Sequence, residues 1–310
     1  MTLPRYAYLG PAGTFTEAAL RAMVPDASAE KVPMVDVPSA LGAVRAGEVD
    51  YAIVAIENSV EGGVTATLDT LAEGEPLVIL GEVVLPIVFE LVARPGTAIE
   101  DVERVSAHSH GLNQCRRWLA ENLPGALQVP ASSNAAAAVA LADGSAEFDA
   151  ALAPPGLGET LGLVTIASGV ADRTNSMTRF VRIGRPGSVP APTGADKTTL
   201  VVHLPSDKAG ALLEMLEQFS ARGVNLSRIE SRPRGDRPGE YSFSMDAMGH
   251  IAESRMAEAL IGLKRTCPVV LFLGSYPAFH GEVTQVAPGT TERDFEDAAA
   301  WVASLRDGLA

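Results

Sequence analysis

A short segment rich in proline and glycine, RPGSVPAPTGAD, divides the chain at residues 185–196. It has no apolar residues at helix or strand spacing, which is typical of a linker between separately packed domains. The 310 residues are enough for one large domain or for several smaller ones, each with its own core. The parts before and after the linker therefore have separate patterns and predict separate folds.

The part after the linker predicts the order strand, helix, strand, strand, helix, strand between residues 197 and 276. The strands are TTLVVHL, VNLSRIES, YSFSMDA and VVLFLG, and the helices are KAGALLEMLEQFSARG and ESRMAEALIGLKR. This βαββαβ order predicts a ferredoxin-like domain. In the tail, residues 277–310, TERDFEDAAAWVASL predicts a short helix.

The first 184 residues alternate predicted strands with predicted helices. RYAYLG, DYAIVAIE, EVVLPIVFELVA, VERVSAHS, FDAALAP and MTRFVRIG predict strands, with helices around 14–24, 110–121, 133–142 and 155–161. Such alternation is typical of an α/β domain with a mostly parallel sheet. The long apolar crossing near residues 80–92 predicts that the chain passes between two lobes, the second at roughly 80–165.

The composition excludes several classes of protein. A formal net charge of −14 argues against binding to nucleic acid or to anionic membranes, because both need clustered Lys and Arg. Cys115 and Cys267 lie far apart, which excludes a disulfide framework and a zinc cluster. The start MTLPRYAYLG lacks a secretory pattern, and VVLPIVFELVA is too short to span a membrane. We therefore expect a cytoplasmic protein.

Two motifs place polar residues where a strand passes into a helix. YLGPAGTFTEAAL predicts a helix that starts near Thr14, where free amide groups favour an anion, although an ordinary capped helix has the same pattern. It lacks the GxGxxG spacing of a dinucleotide loop. AIENSVEGG brings Asn58 and Ser59 to a strand end, where ligands bind in parallel sheets, with a hydrogen-bonded turn as the alternative. Glu57 would repel an anionic substrate, so we expect it to have a structural role.

Two further motifs follow. In SAHSHGLNQC, His108 and His110 precede a helix, but no carboxylate lies at ligand spacing, which argues against a metal. In NSMTRF, Thr178 and Arg179 are neighbours at the start of a strand, so their side chains point to opposite faces. From the residues alone, Thr178 is either a positioned hydrogen-bond donor or an ordinary strand threonine.

Taken together, the motifs resemble those of the prephenate dehydratase family. The family pattern combines GPxGTF, IENS, an HPQxxxQC-like helix start, TRF and a regulatory ACT domain with GALxxxL and ESRP. The chain has GPAGTF, IENS, HSHGLNQC, MTRF, GALLEML and ESRP in the same order. The family's Pro-Gln is replaced by Ser109-His110, and its preceding serine by Ala107. The residues that carry over from this motif are His108, Gln114 and Cys115.

The resemblance implies an α/β fold: a two-lobed catalytic domain like the type II periplasmic binding proteins at residues 1–184, and a ferredoxin-like ACT domain at 197–276. It implies a carbon–oxygen lyase that converts prephenate to phenylpyruvate, by decarboxylating dehydration, in phenylalanine biosynthesis. Aromatisation of the ring drives this reaction, so no cofactor is expected. Bifunctional relatives carry a chorismate mutase segment ahead of the dehydratase, and this chain is expected to be monofunctional.

The resemblance also assigns site residues. Thr178 would assist the leaving hydroxyl, while Asn58 and Gln114 would orient the substrate or share that hydrogen bonding. Arg179 and the helix starts would offset the two carboxylates of prephenate, and acidic side chains would stay away from the chemistry. We expect no metal. The substrate-binding residues would be Thr14, Ser59, His108, Arg179 and Phe180.

The ACT domain would bind L-phenylalanine as a feedback effector where two such domains meet. The chain is therefore expected to form a homo-oligomer, either a dimer or a tetramer. On the residues alone, the preferred interpretation is that GALLEML is a well-packed helix and ESRP an edge strand with a turn. The effector-binding residues would be Gly210, Ala211, Leu212, Asn225, Leu226, Glu230 and Ser231.

Two alternatives stay open at this point. One is a non-catalytic module that binds and senses an amino acid or a dicarboxylate, for which a hydroxyl donor such as Thr178 would have no use. The other keeps the chemistry but takes arogenate, the aminated analogue of prephenate, as its substrate. The residues do not distinguish prephenate from arogenate, and they leave the role of the tail open.

Overall fold

The computed structural model describes residues 2–204, 208–233, 241–281 and 283–308. The chain folds into two compact units. The first consists of Met1–Thr70 and Val83–Ile183, and the second of Leu71–Glu82 and Gly184–Ala310. The segment Leu71–Glu82 thus clusters with the residues after the linker, whereas the sequence predicted a domain boundary at residue 184. The domain bounds stay a prediction.

Up to residue 184, helices are interspersed among the strands. The strands are β1 (Arg5–Leu9), β2 (Glu30–Met34), β3 (Tyr51–Asn58), β4 (Gly62–Gly63), β5 (Val78–Pro86), β6 (Glu90–Ala93), β7 (Arg104–Ala107), β8 (Leu127–Pro130), β9 (Ala150–Ala153), β10 (Val164–Ser168) and β11 (Met177–Gly184). The helices are α1 (Phe15–Met23), α2 (Val37–Ala46), α3 (Thr65–Ala72), α4 (Ser109–Gln114), α5 (Arg116–Asn122), α6 (Asn134–Asp143) and α7 (Leu157–Thr160).

The first sheet has the strand order β2-β1-β3-β11-β5, and β4 pairs with β3. Because β1 runs parallel to β2 and β3, the carboxyl ends of these strands meet at one edge. The strands are apolar because Tyr6, Ile53 and Phe180 pack in one core with Leu20 of α1. Helix α1 starts shortly after β1 ends, so its amino terminus lies at that same edge.

The second sheet has the order β10-β6-β9-β7-β8. Strand β7 is parallel to β8 and β9, but β6 is antiparallel to β9 and β10. The predicted parallel character thus holds for only part of this sheet. The sequence could not distinguish the two strand directions, because a buried strand is apolar in either one. Leu91, Val105 and Leu112 contribute to a separate core. Two sheets with separate cores confirm the predicted two-lobed α/β architecture.

After the linker, the strands are β12 (Asp196–His203), β13 (Leu226–Pro233), β14 (Tyr241–Met248) and β15 (Val269–Pro277), and the helices are α8 (Ala211–Ser220), α9 (Ser254–Thr266) and α10 (Glu292–Arg306). The antiparallel sheet has the order β13-β14-β12-β15. Phe219 of α8 and Met256 of α9 pack on Leu200 and Met245 of the strands. The chain order confirms the predicted βαββαβ pattern, and α10 is the predicted helix of the tail.

Several elements differ from the sequence prediction. Strands β2, β8 and β10 were missed, because they lie at sheet edges and have few buried residues. Helix α2 was also missed, although Pro38 in its first turn is compatible with a helix start. The predicted strand near 80–92 is divided into β5 and β6, since β5 ends at Pro86. The predicted helix 110–121 is divided at Cys115, whose ψ of 9° leaves the helical range.

Candidate active site

A cavity of about 730 Å³ opens between the two sheets of the first unit. The carboxyl ends of β1 and β3 and the start of β11 form one wall, and helix α4 and the start of α6 form the other. This volume lies in the range of small-molecule sites. Phe15 and Phe89 also line the cavity, with their rings edge to face at a centroid distance of 5.6 Å. The cavity is therefore the candidate active site.

Asn58 and Thr178 form a buried hydrogen-bonded pair at the wall of this cavity. Asn58 Oδ1 accepts from the backbone amides of Val60 and Glu61 at 2.9 and 3.1 Å. This turn fixes the orientation of the side-chain amide, whose Nδ2 donates to Thr178 Oγ1 at 2.8 Å. Since the Thr178 hydroxyl accepts from Asn58, its own proton is available for donation to another acceptor. A molecule in the cavity can supply that acceptor.

Ser59 ties the end of β3 to the start of β11. Its backbone amide donates to the Met177 carbonyl oxygen at 2.9 Å, and Met177 N donates to Ser59 Oγ at 2.9 Å. Ser59 is exposed and lies outside the cavity lining. The structure therefore does not bring the Ser59 side chain to the position of a substrate contact. It keeps Asn58 and Thr178 in register instead.

Gln114, at the end of α4, lies at the opposite wall and is buried. Its Oε1 accepts from Ser176 Oγ at 3.1 Å, and its Nε2 donates to Glu61 Oε1 at 3.3 Å. An amide nitrogen carries two hydrogen atoms, so Nε2 can donate a second hydrogen bond. The three residues predicted to be catalytic, Asn58, Gln114 and Thr178, all line the cavity.

Two carboxylates also line the cavity, so the expectation of a site without acidic side chains was wrong. Glu61 Oε2 lies 3.1 Å from His110 Nδ1, and its side chain is 24% exposed. Asp36 caps α2 by accepting from Ser39 N at 2.7 Å, and hydrogen bonds from Ser39 hold the pKa of this exposed carboxyl below its usual value. Glu61 was not predicted as a site residue, although it lies in the same motif as Asn58.

His108 caps α4 and lines the cavity. Its Nδ1 accepts from His110 N at 3.3 Å, which puts the proton of the neutral ring on Nε2. Burial lowers the pKa of His108, the nearby His110 lowers it further, and Glu61 opposes both. The ring is thus favoured in its neutral form, as a hydrogen-bond donor without charge.

Helix starts provide the positive potential of the cavity. The first turns of α1, α2, α3 and α6 all contribute to its lining. Free amide groups and the helix dipole make such ends favourable for anions. Thr14 caps α1: its Oγ1 accepts from Glu17 N at 3.2 Å and donates to the Leu9 carbonyl oxygen at 2.7 Å. The Thr14 hydroxyl is therefore engaged in the cap with Glu17 N, and the amides of Phe15 and Thr16 can face an anion.

The turn before α1 is held by the buried carboxylate of Glu17, which accepts from Gly13 N at 2.7 Å. Arg21 and Lys31 pair with its other oxygen at 2.9 and 3.3 Å. Burial alone would raise the pKa of Glu17, but these partners outweigh it and hold the pKa below its usual value. Gly13 has a φ of +89°, and a Cβ there would collide with the side chain of Leu157, which explains the glycine.

Arg179 does not line the cavity. Its buried guanidinium lies 3.4 Å from Glu57 Oε2, on the face of β11 opposite to Thr178. Phe180, two residues after Thr178, is back on the cavity side and is buried. Among the described residues that line the cavity, none is a lysine or an arginine. The structure therefore gives Arg179 and Glu57 each other as partners, and Arg179 is not brought to a substrate carboxylate.

The residues predicted to bind an effector lie in the second unit, in two places. Gly210, with a φ of +87°, precedes α8, followed by the buried Ala211 and the exposed Leu212. The other predicted positions lie beside or on β13, an edge strand of the sheet. They are Asn225, Leu226, Glu230 and Ser231.

In the part of the chain that the structure describes, no three His, Cys, Asp or Glu side chains are grouped in a way that could hold a metal ion. Over the same residues, no helix has both the length and the apolar character needed to cross a membrane.

Each of the two parts of the chain matches a known protein family. Residues 6–188 match the family model described as prephenate dehydratase, and residues 198–265 match the ACT domain model. A protein of Amycolatopsis methanolica named prephenate dehydratase is 46% identical over 307 residues, which cover 99% of this chain and 99% of that protein.

Solved structures show the same fold. Prephenate dehydratase from Arthrobacter aurescens, determined in complex with L-Phe, is 51% identical with a TM-score of 0.91, covering 98% of this chain and 99% of that one. GqqA, described as a novel type of quorum quenching acylase, is 29% identical with a TM-score of 0.75, covering 88% of this chain and 98% of that one. Since a protein with this fold is described as an acylase, the fold alone does not identify the reaction. The site residues have to distinguish dehydration from acyl transfer.

Proposed function

The chain belongs to the prephenate dehydratase family, and we propose that the cavity of its first unit is the active site, with Thr178 donating a hydrogen bond to the departing hydroxyl. The reaction converts the prephenate dianion to phenylpyruvate, carbon dioxide and hydroxide. The electron pair of the bond to the ring carboxylate moves into the ring as the ring carbon–oxygen bond breaks. Aromatisation drives both changes, so the protein must stabilise the charge that develops on the leaving oxygen.

The hydrogen bond between Asn58 Nδ2 and Thr178 Oγ1, 2.8 Å long, is the observation that carries this proposal. It leaves the Thr178 proton for an acceptor in the cavity. The donation becomes stronger as negative charge builds on the leaving oxygen, so it lowers the energy of the transition state more than that of the bound substrate. Gln114 contributes its second Nε2 hydrogen from the opposite wall.

Binding of the dianion relies on the fold rather than on cationic side chains. The starts of α1, α2, α3 and α6 supply amide groups and the positive ends of helix dipoles. His108, as a neutral donor, adds a hydrogen bond, and Phe180 contributes an apolar wall beside the ring. The net charge of −14 on the whole chain does not oppose this, because the local field decides binding at short range.

The direct test is to mix the purified chain with prephenate and follow the ultraviolet absorbance of phenylpyruvate. Turnover is the expected result, and binding of prephenate without turnover would favour the non-catalytic sensing module instead. Dehydration of arogenate yields phenylalanine instead of phenylpyruvate, so its formation is followed by chromatography. Comparing kcat/KM for prephenate and arogenate then tests the proposed preference for prephenate. A higher kcat/KM for arogenate would contradict that preference but not the dehydration chemistry.

Regulation by L-phenylalanine through the ACT domain is the second part of the proposal. The complex of the Arthrobacter aurescens relative with L-Phe supports it. The start of α8 offers backbone amides to the effector carboxylate, and β13 offers polar side chains to its ammonium group. Feedback requires that L-phenylalanine bind two states of the protein unequally. Homo-oligomers formed through ACT domains and a cytoplasmic location stay predictions.

Titration of L-phenylalanine against turnover tests this regulation. We expect inhibition of the full chain, and Asn225→Ala should raise the concentration of L-phenylalanine that is needed. Asn122→Ala, at an asparagine of α5 in the other unit, serves as the matched control and should leave the inhibition unchanged. Turnover that does not respond to L-phenylalanine would contradict the regulatory proposal and leave the active-site proposal intact.

A further inference from the structure

Glu61 contacts both walls of the cavity through its own atoms. Its backbone amide donates to Asn58 Oδ1 at 3.1 Å. Across the cavity, its Oε1 accepts from Gln114 Nε2 at 3.3 Å, and its Oε2 lies 3.1 Å from His110 Nδ1. The carboxylate of Glu61 thus links the loop after β3 to helix α4.

A carboxylate in this position has an electrostatic cost. Prephenate is a dianion, and a negative side chain in the same cavity repels it. No lysine or arginine is found among the described residues that line the cavity and could offset that charge. An acidic residue here therefore needs a role other than binding the substrate.

The contacts of Gln114 indicate that role. Ser176 Oγ donates to Gln114 Oε1 at 3.1 Å, and the Glu61 carboxylate, which can only accept, takes one hydrogen from Gln114 Nε2. A flipped amide would place Gln114 Oε1 against the Glu61 carboxylate, and the two acceptors would repel each other. The Ser176 hydroxyl can donate or accept and so fits either orientation. Glu61 therefore selects one orientation of the amide, with the second Nε2 hydrogen left for the substrate.

We propose that Glu61 is a positioning residue for the dehydration, acting through the Gln114 amide. This inference rests on the proposed function, because the orientation of Gln114 affects turnover only if Gln114 contacts the substrate. His110 Nδ1 lies 3.1 Å from the second carboxylate oxygen and so helps to keep the side chain of Glu61 directed toward α4.

The test is a comparison of kcat and KM for prephenate in the wild type, Glu61→Ala, Glu61→Gln, Gln114→Ala and the double variant Glu61→Ala/Gln114→Ala. We expect Glu61→Ala to lower kcat by about 10- to 100-fold, the range expected for loss of one charge-assisted hydrogen bond. Glu61→Gln keeps an acceptor for Gln114 Nε2 and removes the negative charge, so it should restore most of kcat without raising KM. Glu121→Gln, at an exposed position of α5, is the matched control for loss of an acidic side chain.

The double variant distinguishes positioning from a general disturbance. If Glu61 acts through Gln114, then Glu61→Ala adds no further loss of kcat once Gln114 is alanine. Full additivity of the two losses would overturn the positioning role alone, as would a Glu61→Gln variant as damaged as Glu61→Ala. A wild type that produces no phenylpyruvate would overturn the proposed function, and the positioning role with it.

Discussion

Two buried polar clusters, one in each unit, show how similar side chains serve different purposes. In the first unit, Asn58 and Thr178 join the neighbouring strands β3 and β11 at the cavity. In the second unit, Thr199 Oγ1 donates to Asp246 Oδ1 at 2.7 Å, and Arg228 Nε donates to Asp246 Oδ2 at 2.9 Å. Thr199 and Asp246 are fully buried and face each other on paired strands.

The clusters differ in whether a group of the protein accepts the hydroxyl proton of the threonine. The Thr199 hydroxyl proton is used inside the cluster, by Asp246, and the carboxylate charge is met by Arg228. The Thr178 hydroxyl accepts from Asn58, so its proton is left for a molecule in the cavity. We infer that the second cluster stabilises its unit, whereas the first leaves a hydroxyl proton that the protein does not use, as the proposed role of Thr178 requires. Substitutions in the first cluster should therefore affect turnover, and substitutions in the second should affect the free energy of unfolding.

The largest effect is expected for Thr178→Ala. Loss of the donor to the leaving hydroxyl should lower kcat by roughly 10²–10⁴-fold, equivalent to about 3–5 kcal/mol of transition-state stabilisation. The midpoint of thermal unfolding should change little, because the hydroxyl contributes about one ordinary hydrogen bond to stability. Steady-state kinetics and calorimetry on the same preparation measure both quantities.

Thr178→Ser is the matched control, since it keeps the hydroxyl and removes only a methyl group. It should retain much of the wild-type turnover. An alanine variant with near-wild-type kcat, or one that unfolds well below the wild-type temperature, would remove the distinction between the two clusters.

Asp246→Ala should lower the free energy of unfolding and leave the turnover of the folded protein near that of the wild type. It removes a fully buried carboxylate from Arg228 and Thr199, and breaking a buried ion pair from one side costs about 3–5 kcal/mol of unfolding free energy. Denaturant unfolding, with turnover measured on the folded fraction, checks this. A variant that unfolds like the wild type but has lost turnover would show that this cluster is not primarily structural.

Glu17 provides a test with a smaller expected effect on stability. It is a buried charge in the first unit with a structural role. Its pKa is lowered in the folded state, so its contribution to stability is present above its unfolded value, about 4.3, and is lost as the pH falls through its folded value. The effect is smaller than at Asp246, since its partner Arg21 is 57% exposed. Unfolding free energies measured from about pH 6 down to about pH 3 should fall less steeply for Glu17→Gln. Identical slopes for the two proteins would contradict this assignment.

The sequence predicted those parts of the site that depend on local order. Asn58 lies at the end of one strand and Thr178 at the start of another, and both line the cavity as expected. Alternation along β11 predicted opposite faces for Thr178 and Arg179, but it could not tell which face bounds the cavity. Assignment of Arg179 to the substrate required that second fact, and the structure pairs Arg179 with Glu57 instead.

The parts that were missed depend on long-range contacts. Glu61 contacts Gln114, which lies 53 residues later in the chain, and no periodicity connects the two. Ser59 follows Asn58 directly, yet it turns back to Met177, which only the pairing of β3 and β11 explains. The edge strands β2, β8 and β10 were missed because they bury too few side chains to produce an apolar pattern.

The direction of the Asn58–Thr178 hydrogen bond is the central claim, and Asn58→Asp tests it most directly. An aspartate of nearly the same size still accepts from the amides of Val60 and Glu61, but it cannot donate to Thr178 Oγ1. Thr178 would then donate to the introduced carboxylate in place of the substrate, so the substitution would consume the proton that catalysis needs. Measured at saturating prephenate, kcat should fall about 10²-fold or more, while the thermal midpoint stays near that of the wild type. A kcat within about threefold of the wild type would contradict the account.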